Sequence, residues 1–449
     1  MSKQRIQLSD HFTYSRLLRF VLPCIGTMLF TSIYGIVDGL CVSNFVGKTA
    51  FAAVNLIMPL PMLLGTIGFM LGTGGSAIVG ITLGEGDQKK ADRYFTLFLL
   101  AALVSVSALA VLGIVFLRPI AVLLGAKGEL LDYAVRYGRI LMVSLPTFAL
   151  QNMFQSFFVT AEKPHLGFWF TVGAGCTNMV LDVLMVGVWG WGVEGAAIAT
   201  FISQLVGGVL PVFYFIDRSN SSRLHLCQTK VYGGVLRDAC INGSSELMTN
   251  LSMSLVNILY NYQLLRLAGE NGVAAYGVIM YAAFLFVAVF VGYAVGSAPI
   301  VSFHYGARNH AEVHNLYRKS LRLIAVVAVT LTLASMFIIP CVARVFVGYD
   351  AELLALTSRA FRLYALSFLI MGFNVYASSF FTALGDGVTS ALISFLRTLA
   401  FQVIAILLLP MLLGIDGIWL AVTAAELAAL AVSAAMLLTK DKVFHYRKA

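Results

Sequence analysis

Apolar stretches of twenty or more residues recur along the whole chain, separated by short polar segments that carry glycine. A helix needs about 20 apolar residues to cross the hydrocarbon layer of a bilayer. Runs of that kind fall at 17–42, 51–83, 94–117, 130–160, 165–188, 192–216, 236–266, 272–303, 318–347, 352–382, 388–413 and 415–438. They predict an all-α integral membrane protein with twelve transmembrane helices. Several runs exceed 25 residues, which implies tilt, kinks or ends that protrude into the interface. Composition agrees: of 449 residues, 59% are hydrophobic and 11% charged, against about 25% charged in a soluble domain. So little polar surface cannot cover a water-facing globule of this size. A cytosolic enzyme, a nucleic-acid module and a disordered scaffold are all excluded.

The longest polar interruption, from Asp217 to Arg237, falls at mid-chain and divides the runs into two groups of six. This predicts an N-terminal lobe at 1–216, a cytoplasmic linker at 217–235 and a C-terminal lobe at 236–449. An ungapped shift of 222 pairs Gly47 with Gly269, Ile57-Met58 with Ile279-Met280, Gly74 with Gly296, Gly84 with Gly306 and Gly192 with Gly414. A shift of 223 pairs Ser156-Phe157-Phe158 with Ser379-Phe380-Phe381. With an even number of spans per copy, both lobes enter the membrane the same way. They are then parallel repeats about an axis along the membrane normal, with a cavity between them.

The net charge of +9 changes the picture only through its placement. Twenty of the 30 lysines and arginines, among them Lys3, Arg5, Lys89, Lys90, Arg223 and Lys448, fall on the side of the N-terminus. Nine fall on the other side, Lys48 among them, and Arg397 lies within a span. The positive-inside rule then puts both termini in the cytoplasm, in a multi-pass cell (inner) membrane protein. The first run is long and lacks a small-residue cleavage site, so it is expected to be a retained helix. The six cysteines form no Cys-x-x-Cys pair and act as small hydrophobes.

A charge at the bilayer centre costs roughly 2.5–3.5 kcal/mol on insertion scales, so each one needs a reason. Asp38, Asp182, Glu246, Arg397 and Glu426 lie well within apolar runs. Asn178 and Asp182, four apart, share a helix face, and the short turn at 189–192 folds Thr200 back alongside. Asp38, Asn178, Asp182 and Thr200 offer carboxylate, amide and hydroxyl oxygens to Na⁺, or a carboxylate pair to a proton. The other reading is a hydrogen-bond cluster that holds the lobe together. Glu246 has a substrate or proton role or lies near the interface; Arg397 and Glu426 are structural partners or line the cavity. Pro23, 15 residues before Asp38, is a candidate hinge or a static kink. Gly68, Gly72, Ser76 and Gly80 make a packing stripe. Gly47-Lys48-Thr49 lacks the leading glycine of a phosphate loop, since position 42 is valine. His310 and His314 belong to a solvated loop. No cofactor is expected, and no metal beyond Na⁺ at Asp38, Asn178 and Asp182.

The segment SIYGIVDGLCVSNFVG at 32–47, followed by AAVNLIMP, resembles the first span of multidrug and toxic compound extrusion (MATE) transporters. LGEGDQKKA after the second span, its echo YGARNHAEV after the eighth, and GVEGAAIAT at 192–200 resemble further motifs of that family, and within it the bacterial MepA-like branch. The resemblance implies a secondary active transporter that exports drugs and organic cations against entry of H⁺ or Na⁺, by rocking two lobes in alternating access. It maps Asp38 onto the family's first-span aspartate. Asn178, Asp182 and Thr200 map onto its N-lobe cation site, and Glu246 onto a seventh-span glutamate. Where some members carry an aspartate in the tenth span, this chain has Asn374, which concentrates coupling on the first lobe. Glu246, Asn374 and Arg397 form the candidate substrate or proton set. The expected partners are small-molecule drugs and membrane lipid, with no nucleic acid, and a monomer suffices. The alternatives are a flippase for lipids or lipid-linked oligosaccharides on a related fold, and a membrane-embedded enzyme.

Overall fold

The structure, a computed structural model, describes residues 6–447 apart from Tyr349, without the side chains at 40, 42–44, 48 and 345. Lys3, Arg5 and Lys448 of the charge asymmetry lie outside the described residues, as does the side chain of Lys48. The first lobe comprises α1 (Tyr14–Phe45), α2 (Lys48–Ile57), α3 (Pro59–Gly84), α4 (Gln88–Leu123), α5 (Gly128–Thr160), α6 (Pro164–Asp182), α7 (Gly192–Gly208) and α8 (Leu210–Ile216). The second comprises α9 (Gly233–Gly306), α10 (His310–Val347), α11 (Ala351–Ala365), α12 (Phe368–Ala383), α13 (Gly387–Phe395), α14 (Phe401–Leu413) and α15 (Ile415–Thr439), with a last turn α16 (Asp441–Phe444).

Nine stretches of the described residues are long and apolar enough to cross a membrane on their own. One of them, α9, is two spans: its 74 residues are broken at Gly269, where φ is 61° and ψ −150°. The pair α11 and α12 is bent by 46° and makes one further span. The remaining one is α5, a 33-residue helix whose apolar face is interrupted by Gln151, Asn152 and Gln155. Twelve spans in two groups of six result.

The repeat is written in the backbone as well as in the sequence. A residue of positive φ stands at each of four helix junctions and recurs one repeat later: Gly47 with Gly269, Gly86 with Arg308, Glu162 with Gly385, and Gly192 with Gly414. Such a residue turns the chain sharply from one helix into the next. Two of the eight are not glycine, so the turn geometry repeats even where the residue best suited to it does not. The caps repeat too: Asp87 accepts from the Lys90 backbone N–H, and Asn309 accepts from that of Glu312.

The lobes meet through α3 and α9 at backbone distance. A Cβ on Gly74 would stand 2.2 Å from the Ala239 carbonyl oxygen, and one on Gly243 1.9 Å from that of Met70. Gly84 and Gly306 make the same kind of crossing with Phe303 and Ile81, at 2.0 and 2.1 Å. Gly292 packs against Ile25 of α1. All these contacts lie in the half of the molecule nearer the termini. In the other half, Gly35 and Gly39 of α1 and Gly277 of α9 face open space. The packing stripe divides its work: Gly68 and Gly72 receive α5, whereas Gly80 receives Ser302 of the opposite lobe.

Residues 6–13 strap this closed face. The Leu8 N–H donates to Glu162 of the first lobe at 2.9 Å. The Phe12 N–H donates to Glu312 of the second at 2.9 Å, and His11 Nδ1 donates to the other Glu312 oxygen at 2.6 Å. Leu8 and Phe12 are fully buried. At the C-terminus, buried Tyr446 accepts a hydrogen bond at its carbonyl from His314 Nδ1 at 2.9 Å. Both ends of the described chain therefore pack on one face, and there the lobes are joined. Gly243→Val is expected to destabilise the protein by about 1–3 kcal/mol through overpacking. Gly277→Ala should stay within about 0.5 kcal/mol of the parent. Thermal unfolding in detergent compares the two, and equal effects would show that the α3–α9 crossing is not a tight contact.

Candidate functional site

Two polar centres are built into the apolar interior. In the first lobe α1 brings Asp38 beside Asp182 at the end of α6. Asp182 is 0% exposed and is followed by a π-helical turn, Val183–Val188, which interrupts the regular ladder as such turns do at functional sites. Asn178 Nδ2 donates to Thr200 Oγ1 of α7 at 3.5 Å. The four residues predicted from spacing are thus in one place. Asp38 Oδ1, Asn178 Oδ1 and both Asp182 carboxylate oxygens are buried and have no hydrogen-bond partner among the described residues. Two facing carboxyl groups with unpartnered oxygens repel when both are ionised. A proton or a hard monovalent cation relieves that repulsion, and the donor set, all oxygen, suits either. Pro23 stands inside α1 two turns from its start, and Thr27 Oγ1 donates to the Pro23 carbonyl at 2.9 Å.

Between the lobes, and lined mostly by the second, a cavity of about 530 Å³ extends from a hydroxyl-lined floor at Ser76, Ser245 and Thr382 toward Pro59, Met62 and Phe284. Its mouth therefore lies away from the strapped face. Glu246 and Asn250 of α9, Gln402 of α14 and Glu426 of α15 supply the polar wall, with Arg397 from a second π-helical turn, Leu396–Ala400. Arg397 Nη1 donates to Glu426 Oε1 at 3.3 Å. Asn374 Nδ2 donates to the other Glu426 oxygen at 2.7 Å and to the Glu426 carbonyl at 2.9 Å, while Ser433 Oγ donates to Asn374 Oδ1 at 2.9 Å. Below them Ser378, Ser390, Ser394 and Thr382 link hydroxyl to hydroxyl at 2.8–2.9 Å.

A family model, MatE, matches this chain twice, over residues 23–184 and 247–408. The chain belongs to the MatE family. One matched segment falls in each lobe, and each contains one of the π-helical turns or reaches its start. Among curated relatives, the multidrug export protein MepA of Staphylococcus saprophyticus is 21% identical over 436 residues, covering 96% of this chain and 95% of the relative. MepA of Staphylococcus aureus (strain MSSA476) is 22% identical over 433 residues with the same coverage. A crystal structure of MATE in complex with MaL6 superposes with a TM-score of 0.91 at 22% identity over the whole of both chains. An outward-facing multidrug resistance MATE transporter of the MOP superfamily matches equally well, at TM-score 0.91 and 22% identity. A MOP superfamily transporter from Pyrococcus furiosus gives 0.90 at 22% identity.

Within this MatE-family fold the candidate residues separate into two centres. Asp38, Asn178, Asp182 and Thr200 gather in the first lobe; Glu246 and Arg397 line the cavity of the second. Asn374 is fully buried behind Glu426 rather than on the cavity wall. Glu426 is thereby held toward the cavity from the twelfth span by an amide of the tenth. The sequence reading missed the aromatic shell of both centres. Tyr34 of α1 and fully buried Tyr137 of α5 stand near Asp38. Tyr260 and Tyr276, stacked at 4.9 Å, and Tyr364 line the cavity. The signal available for the first group was the unusual polarity of α5.

Asn374→Ala strips Glu426 of its shortest hydrogen bond and is expected to cost about 1–3 kcal/mol. Asn374→Asp sets two carboxyl groups against each other, so its cost should be larger at pH 8 than at pH 5, where a shared proton removes the repulsion. Thermal unfolding at the two pH values checks the sign.

Proposed function

We propose that this chain is a secondary active multidrug exporter that couples outward movement of organic cations and drugs to entry of H⁺ or Na⁺. The observation that carries the reading is the unpartnered carboxyl pair Asp38–Asp182, held in one lobe while the large cavity belongs mainly to the other. The relatives named multidrug export proteins support it. The Lys/Arg asymmetry supports a cytoplasmic location for the strapped face and both termini, so the cavity opens outward. Residues 1–216 and 236–449 then act as the two rocking bodies, joined by the segment 217–235, and a single chain holds every part of the path.

A cation at Asp38 and Asp182 removes the repulsion between them and lets α1 settle against α6 and α7. Pro23, which leaves one backbone hydrogen bond of α1 unmade, is the place where α1 bends. Asn178 and Thr200 position the cation, and Glu246 supplies the countercharge for the drug. Moving one elementary charge through 100 mV supplies about 2.3 kcal/mol, enough for roughly a 50-fold gradient. One-for-one exchange of monovalent cations cancels the charge, so the ion's concentration gradient alone drives that cycle. A flippase for anionic lipid-linked sugars is not favoured, because the cavity wall sets two carboxylates against one guanidinium.

Purified protein in vesicles, with ethidium as the organic cation and a pH or a Na⁺ gradient imposed separately, tests the coupling. Asp38→Asn and Asp182→Asn are each expected to lower gradient-driven ethidium movement at least about tenfold while ethidium still binds. Full transport by either variant would sink the assignment. The gradient that drives the parent identifies the ion.

A further inference from the structure

One group of cations on the strapped face has no acid interleaved with it. Arg16 and Arg19 stand at the start of α1, and Arg318, Lys319 and Arg322 near the start of α10. Hydrogen bonds gather them around residues 11–14. Arg16 Nη1 donates to the His11 carbonyl at 3.3 Å, Lys319 Nζ to the Phe12 carbonyl at 2.6 Å and Arg322 Nη1 to the Tyr14 hydroxyl at 3.3 Å. Lys319 Nζ also stands 5.4 Å from the centre of the Tyr14 ring. Arg19 lies one turn beyond Arg16, and Arg318 one turn before Arg322. All four arginines are exposed. The positive-inside rule explains basic residues on this face, but not the missing acids. No Asp or Glu occurs from 11 to 37 or from 313 to 349. Glu312, the acid that precedes the second stretch, is buried and bonded to His11, the Phe12 N–H and Asn315. Elsewhere on the same face Arg223, Arg237 and Lys440 are paired with Glu162, Asp238 and Asp386. Like charges gathered in one patch repel one another, and an anion from outside the chain relieves that repulsion.

Exposed Tyr14 sets the depth of the patch, since aromatic side chains of this kind sit at the level of lipid headgroups. Leu22 of α1 and Val326 of α10, one turn beyond Arg19 and Arg322, are exposed as well and face the hydrocarbon. We propose that this patch binds the phosphate of an anionic phospholipid of the phosphatidylglycerol type, whose acyl chains lie along Leu22 and Val326. Guanidinium groups grip a phosphate with parallel hydrogen bonds, and basic pockets between transmembrane helices hold anionic headgroups. Arg16 and Arg19 belong to the first lobe and Arg318, Lys319 and Arg322 to the second, so the bound headgroup ties the lobes together on the strapped face. The leaflet rests on the reading that puts this face in the cytoplasm; the binding does not.

Native mass spectrometry of the purified full chain in detergent tests the site by titration with dioleoyl phosphatidylglycerol or dioleoyl phosphatidylcholine. The acyl chains are the same and only the headgroup charge differs. The parent is expected to bind phosphatidylglycerol about tenfold more tightly than phosphatidylcholine. Replacing two arginines of α10, Arg318→Gln with Arg322→Gln, should weaken phosphatidylglycerol about tenfold and leave phosphatidylcholine unchanged. Arg19→Gln, a single exposed change in the other lobe, should weaken phosphatidylglycerol about threefold, and it reports even if the double variant fails to fold. Lys89→Gln with Lys90→Gln removes two charges from the same face, where Asp87 and Asp92 are interleaved with them, and should leave phosphatidylglycerol binding unchanged. Equal losses in the two double variants would make the effect one of net charge and overturn the inference, as would equal affinity of the parent for both lipids. A loss in the α10 variant with none in Arg19→Gln would overturn the bridging of the lobes. Displacement of the lipid by millimolar glycerol 3-phosphate would mark a site for free phosphate and overturn the lipid assignment. Detergent has no sidedness, so failure here leaves the orientation and the transport reading standing.

Discussion

A charge or an unpaired polar group in the hydrocarbon layer has no water to turn to, and the interior of this protein is arranged around that constraint. At the Glu426 centre of the second lobe most of the demand is met inside the fold, with Arg397 Nε left over. Ser433 holds Asn374, Asn374 holds Glu426, and Glu426 receives Arg397. At the Asp38–Asp182 centre of the first lobe it is left unmet, with four buried oxygens of Asp38, Asn178 and Asp182 unpartnered among the described residues. A satisfied network fixes a structure, whereas an unsatisfied one waits for a ligand and changes when it arrives. The contrast between the lobes is thus a contrast in what each can respond to.

The second constraint is steric. The α3–α9 crossings put Gly74, Gly84, Gly243 and Gly306 within reach of carbonyl oxygens on the opposite lobe. No side chain fits there, so backbones pack directly and the face can close completely. Small residues serve this purpose in membranes because lipid supplies no hydrophobic force between helices, and close van der Waals contact must do so. The strap at residues 6–13 adds charge-assisted hydrogen bonds from both lobes to that same face. Among the described residues the opposite face has neither device. An opening on that side is the geometric consequence of joining two lobes at one end.

Much of this was legible in the chain. The spacing of Asn178, Asp182 and Thr200 on two helices joined by a short turn dictated their meeting, and the 222-residue repeat reappears as paired turns of positive φ. The paired pattern fixed the symmetry because the same turn chemistry occurs at the same offset. Gly47 and Gly269 matched by letter; Gly86 with Arg308 did not, and only the backbone shows that pair. The break inside Gly233–Gly306 was legible too, since the runs 236–266 and 272–303 leave a gap that holds Gly269. Two features were beyond reach. Asn374 read as a lost acid, when its role is to hold one. The tyrosines near Asp38 come from two helices, Tyr34 from α1 and Tyr137 from α5, and no spacing along the chain announces their meeting.

The sequence by itself determined the solvent, the span count, the repeat and the family, because each depends on residue type and on distance along the chain. It also named the charged residues that the membrane would have to accommodate. Which of those charges are paired and which are free was decided only by tertiary structure. Glu426 and Asn374 are 52 positions apart and Asp38 and Asp182 farther still, so their meeting depends on how helices cross. A carboxylate has the same letter whether an amide holds it or nothing does. Its chemistry follows from the partner, and the partner is a property of the fold.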